Sequence, residues 1–161
     1  MSAWNDRDRW AALCSGAACP ICSRREPLDL VAKLEACWVT MQEAAPVPGY
    51  VCLVSQSHAV ELHDLPEEGA AAFMRAARRV SRTLAAATGA VKLNYEIHGN
   101  SLPHLHMHLF PRYRGDQFAR FRPLCWLPQK MDSFTCRNFF GSFRKSPRSR
   151  RRSAVAPVRL S

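Results

Sequence analysis

An α+β fold, with an antiparallel sheet carrying one main amphipathic helix, is predicted by three features of the sequence. Short runs rich in β-branched and aromatic residues alternate with turn residues, as at Trp38-Val39-Thr40 and Tyr50-Val51-Cys52. Phe73, Ala77, Val80 and Leu84 recur at helical spacing in one long segment. Residues 104–109 alternate strictly between histidine and apolar side chains, which is the two-residue repeat of a strand. A length of 161 residues, with 47% hydrophobic and 22% charged residues, suits one domain with a sizeable core.

Residues 1–18 read as a loosely ordered lead-in with Trp4, Trp10 and Leu13 as anchoring side chains. Cys19-Pro20-Ile21-Cys22 has the spacing with which two thiolates turn onto one tetrahedral ion, usually zinc. The rival, a thioredoxin-like redox pair, requires a preceding strand, and Ser15-Gly16-Ala17-Ala18 is none. Residues 28–34 and 37–41 form short strands, and 46–49 is a Pro/Gly turn leading into a buried strand at 50–54, so a hairpin fits. Cys37 and Cys52 fall within these apolar patterns and read as small buried hydrophobes. A connection over 55–65 contains His58 and His63. Asp64 is the expected helix N-cap, with Pro66, Glu67 and Glu68 in the first turn and Gly89 as the stop. The strand at 91–97 sets Val91, Leu93, Tyr95 and Ile97 on one face and Lys92, Asn94, Glu96 and His98 on the other. Gly99-Asn100-Ser101-Leu102-Pro103 is a turn that delivers the chain to the histidines.

His104, His106 and His108 therefore project from one side of a strand while Leu105, Met107 and Leu109 enter the core. Three imidazoles in a row suit either metal ligation or nucleophilic chemistry, and the surroundings bear on the choice. His-Leu-His-Met-His-Leu-Phe resembles the signature of the histidine triad (HIT) family of nucleotide hydrolases and transferases. The resemblance extends to Pro48-Gly49-Tyr50-Val51-Cys52-Leu53-Val54, Ser55-Gln56-Ser57-His58, Leu62-His63-Asp64-Leu65, Asn94-Tyr95 and Gly99-Asn100-Ser101-Leu102-Pro103. It covers roughly residues 19–116, so the chain divides into a lead-in (1–18), a HIT-like domain (19–116) and a basic, disordered tail (117–161).

The resemblance implies that His106 attacks the α-phosphorus of a nucleotide and forms a nucleotidyl-histidine intermediate. His108 then contacts phosphate or leaving-group oxygen, and Asn94 and Ser101 supply neutral donors. Asn94 lies ten residues before the triad where some relatives have eleven. In the branch with a two-cysteine knuckle, Cys19, Cys22, His58 and His104 make a Cys2His2 zinc site, which is structural because no position is left for water. Gln42 is a candidate ribose contact, and equally a solvent-facing hairpin residue; His63 reads as an ordinary surface residue. Substrates so implied are diadenosine polyphosphates or AMP conjugates, with a homodimer as the assembly. A phosphorylase or nucleotidyltransferase with another acceptor is the alternative.

Net charge is +10, yet residues 1–112 hold eleven basic and eleven acidic side chains, against twelve and two in 113–161. Any nucleic-acid binding thus belongs to the tail, where Phe118, Phe121, Trp126, Phe139 and Phe140 are interleaved with arginines. No apolar run has the length of a membrane span, the N-terminus shows no signal peptide, and seven scattered cysteines read as reduced thiols or ligands, so the expected location is cytoplasmic.

Overall fold

The computed structural model describes residues 3–45 and 47–116. The tail reading of residues 117–161, including its nucleic-acid contacts, lies outside the described residues. Five strands form one antiparallel sheet in the order β1-β2-β3-β5-β4: β1 Leu30–Lys33, β2 Cys37–Thr40, β3 Val51–Ser55, β4 Lys92–Ile97 and β5 His106–Arg112. β1, β2 and β3 follow as hairpin neighbours. The histidine strand β5 is inserted between β3 and β4.

The helix α3 (Glu67–Thr88) covers one face. Its Phe73, Ala77, Val80 and Leu84 pack with Val39, Val51, Leu53, Leu105, Met107 and Leu109 in the main core. Alternation along β5 therefore does what the sequence requires: the apolar residues meet the helix and the histidines take the other face. Strand pairing starts at His106, two residues later than the alternation begins, because the backbone of Leu105 bonds Ala59 O and is bonded by Ser55 N–H.

Two expectations are corrected. Asp64 does not cap α3; the N-cap is Pro66, and Asp64 closes a 3-10 turn over Leu62–Asp64, where its Oδ2 accepts from Glu61 N–H at 2.9 Å. The cause is Pro66, which holds Leu65 extended (ψ 143) and so keeps residues 64–65 out of the helix. The lead-in is not loose: Ala3–Asn5 is a 3-10 turn and Arg7–Cys14 is a helix, α1, capped by Asp6, whose side chain accepts from Arg9 N–H at 3.0 Å. Leu13 is its buried anchor, as expected, while Trp4 is exposed. A short helix α2, Pro20–Arg24, follows with Cys19 at its N-cap and Pro20 at its first position. At the edge strand, Leu93 is buried but Val91, Tyr95 and Ile97 are exposed, so α3 covers only part of β4's apolar face. Gly89 ends α3 in the left-handed region at φ 64.

Candidate active site and metal cluster

The face opposite α3 is built from β3, β4 and β5. Side chains directly across an antiparallel pair share a face, so His106 lies beside Val54, and His108 beside Cys52 on one flank and Glu96 on the other. α2 closes one end of this face, with Cys19 and Ile21 packed on Trp38 and Val54. That packing brings the cysteine knuckle to the start of the histidine strand.

Cys19, Cys22, His58 and His104 converge there, their ligand atoms all within 4.8 Å of one another. His58 Nδ1 lies 3.2 Å from His104 Nδ1; Cys22 Sγ is 3.3 Å from the first and 3.7 Å from the second, and Cys19 Sγ is 3.4 Å from His104 Nδ1. Both imidazoles are turned the same way. His104 Nε2–H donates to Ser55 O at 2.9 Å and His58 Nε2–H donates to Cys14 O at 2.8 Å, which leaves both Nδ1 lone pairs facing the thiols. Burial and the neighbouring Cys19 push the Cys22 thiol up to about 11. Two thiols so close resist ionising together, and a cation between them removes that resistance. The four residues fit a metal ion. α1 takes part through the Cys14 carbonyl, which sequence reasoning had no means to see.

His106 and His108 stand edge to face, ring centroids 4.8 Å apart. His106 Nδ1–H donates to His104 O at 2.7 Å, so its Nε2 carries the lone pair. His108 is half-buried, and burial, then His106 and His98, hold its imidazole down to about 4, so it is neutral at neutral pH. Tyr50 Oη is 2.7 Å from His108 Nδ1.

Asn94 is half-buried on the same face, across from Phe110. Ser101 is exposed in the turn before the triad, and Gln42 is exposed just beyond β2. His63 is exposed beside Asp64, as expected for a surface residue. Cys37 is fully buried, as expected; Cys52 is only half-buried, beside His108, with its thiol pushed up to about 12 by burial. Three residues at the site escaped the sequence reading: Tyr50, and the pair Glu96 and His98, whose Oε2 and Nε2 are 3.0 Å apart. His98 lies 5.7 Å from the His108 ring, centroid to centroid. The alternation of β4 does place Asn94, Glu96 and His98 on one face; only the register shows that this face is the site.

An α+β domain with a helix-backed sheet and an alternating histidine strand on its open face defines a histidine-triad architecture. The HIT domain family model matches residues 23–115, and the chain belongs to the HIT family, whose members are generally nucleotide hydrolases and transferases. Among solved structures, a histidine triad protein from Bradyrhizobium japonicum is 32% identical, with 73% of this chain and 90% of that chain covered, at a TM-score of 0.62. One from Marinobacter aquaeolei is 26% identical over 72% of this chain and 84% of its own, at 0.57. A zinc-bound histidine triad family protein from Mycobacterium smegmatis shares the fold at 22% identity, over 66% and 84% of the two chains, at 0.55. No curated protein matches the chain. Among the described residues, no helix is long and apolar enough to cross a membrane.

Proposed function

We propose that this protein is a nucleotide phosphoanhydride or phosphoester hydrolase that works through a nucleotidyl-histidine intermediate on His106, with diadenosine polyphosphates or AMP conjugates as substrates. The observation that carries the reading is the His106 Nδ1–H bond to His104 O, which leaves Nε2 as an unprotonated nucleophile needing no separate base. Nε2 attacks the α-phosphorus in line, and the P–O bond to the leaving group breaks. His108 is the neighbouring donor to phosphate and leaving-group oxygens, with Asn94 and Ser101 as neutral donors and Gln42 as a ribose contact. Water then attacks the intermediate and frees His106.

Zinc is the ion the cluster suits. Tetrahedral zinc sets N–N edges of about 3.3 Å and S–N edges of about 3.6 Å, close to the 3.2 Å and 3.3–3.7 Å found between these ligand atoms. Four protein ligands complete its shell, so when bound it supplies rigidity. The exposed apolar edge of β4 favours pairing with a second copy of the chain. Sedimentation showing only the single-chain mass at micromolar concentration would exclude that dimer. Among the described residues no cysteine is in a disulfide, and a cytoplasmic location is part of the same proposal.

The deciding experiment is intact-protein mass spectrometry of wild type quenched during turnover of diadenosine tetraphosphate, with His106→Ala in parallel. One added nucleotidyl group in the wild type alone is expected. Product analysis in phosphate buffer separates water from phosphate as the acceptor. Normal turnover in a well-folded His106→Ala protein rules the covalent route out.

A further inference from the structure

Tyr50 has no part in nucleotidyl transfer as set out above, yet its placement is closely determined. The side chain is 6% exposed, packed with Val47 and Phe110, and its backbone N–H is bonded to Val47 O at 3.1 Å. Its ring lies against His108, centroids 5.9 Å apart and planes 20° apart, and against Phe110 at 4.9 Å. The Oη to Nδ1 bond of 2.7 Å is the one hydrogen bond the phenol makes among the described residues.

A bond between two neutral groups can be made in two ways. Either the phenol donates into the Nδ1 lone pair, or Nδ1–H donates to the phenol oxygen. In the second arrangement the buried O–H loses its acceptor, which is costly in such a place. A phenol is also the stronger donor of the two and an imidazole nitrogen the stronger acceptor. Ionisation does not interfere, since burial, with Cys52 and Glu96 adding to it, raises the phenol above its ordinary range. Besides Tyr50 itself, the titratable groups that face His108 among the described residues are Cys52, Glu96, His98 and His106.

We propose that Tyr50 is a positioning residue that holds His108 as the Nε2–H tautomer, the reverse of the Nδ1–H tautomer that the His104 carbonyl imposes on His106. The two adjacent imidazoles are thereby given different tasks, one presenting a lone pair and the other a donor. This rests on the nucleotidyl-transfer reading only for its consequence. As Nε2 of His106 forms the N–P bond, the P–O bond breaks with its electron pair on the leaving oxygen. His108 Nε2–H hydrogen-bonds that oxygen, and no proton changes hands.

The test is 15N imidazole NMR of the full chain at neutral pH, with His108 assigned by substitution, in wild type and Tyr50→Phe. In the wild type, His108 should show a pyridine-type Nδ1 and a pyrrole-type Nε2. In Tyr50→Phe the His108 nitrogens should move toward a mixture of tautomers while those of His106 stay fixed. Turnover of diadenosine tetraphosphate should drop about five- to tenfold in kcat with KM little changed, the scale of one lost hydrogen bond. A pyrrole-type Nδ1 on His108 in the wild type overturns the proposal whether or not the variant folds, and so does an unchanged His108 spectrum in Tyr50→Phe. The expected tautomers in a wild-type protein that turns over no nucleotide conjugate would defeat the transfer reading and leave the Tyr50 assignment standing.

Discussion

A stability measurement can read the neutrality of His108 without any substrate. In the unfolded chain this histidine titrates near 6.5, and in the fold at about 4, because burial and the neighbouring His106 and His98 oppose its charge. Between those values the unfolded state binds the extra proton, so stability rises with pH. The contribution is complete above 6.5 and is lost as pH falls through the window to about 4. At about 1.4 kcal/mol per pH unit the full difference is roughly 3 kcal/mol, which falls to about 2 because the ring is only half-buried and partly screened by water. Urea unfolding of wild type and His108→Gln, from about pH 7 down to about pH 4.5, isolates this share. Metal release at low pH affects both proteins and cancels in the difference. Wild type should lose about 2 kcal/mol more than the variant across the window. Parallel curves for the two proteins would refute a neutral, desolvated His108, and with it the view that this residue acts as a neutral donor.

Two further predictions concern the frame around the site. Cys19→Ser alters a fully buried thiol of the proposed zinc site, so bound zinc should fall well below one per chain by elemental analysis. The melting temperature should fall by about 10 °C, the effect of losing roughly 2–3 kcal/mol of linkage in a domain of this size. An unchanged zinc content would dismiss the ligand set. Gly49 sits at φ +75, and a Cβ there would lie 2.7 Å from Thr88 Cγ2. Gly49→Ala should therefore cost about 2–4 kcal/mol in chemical unfolding, from the left-handed backbone and the crowding together; a variant within about 0.5 kcal/mol of wild type would contradict the geometry.

The parts of the site that were legible in the sequence are those written in a short repeat. Strict alternation over 104–109 and the Cys-x-x-Cys spacing each encode a local geometry, so His106, His108, Cys19 and Cys22 can be placed from chain position alone. His58 needed the family resemblance, since nothing local marks it as a ligand. Tyr50, Glu96 and His98 are not visible for a different reason: Glu96 faces His108 across a strand pair, Tyr50 and His98 flank it from just outside β3 and β4, and register is a tertiary property. The α1 helix is not legible in the sequence although Asp6 is a recognisable cap, because the segment lacks an apolar face to declare it. The helix starts two residues later than Asp64 would place it because the extended backbone that Pro66 imposes on Leu65 outweighs the capping tendency of Asp64. At Gln42 and Ser101 the structure gives positions and no contact with the triad.

The metal cluster carries an electrical consequence. A divalent ion among two thiolates and two uncharged imidazoles sums to zero, and residues 1–112 are themselves balanced at eleven positive and eleven negative side chains. An ion held by the four residues, tying α2 to the histidine strand, would thus add almost nothing to the long-range field over the open face. A polyanionic substrate would be held there by dipoles at close range and would not be drawn in from a distance by this domain, so capture by the folded core should be largely indifferent to salt.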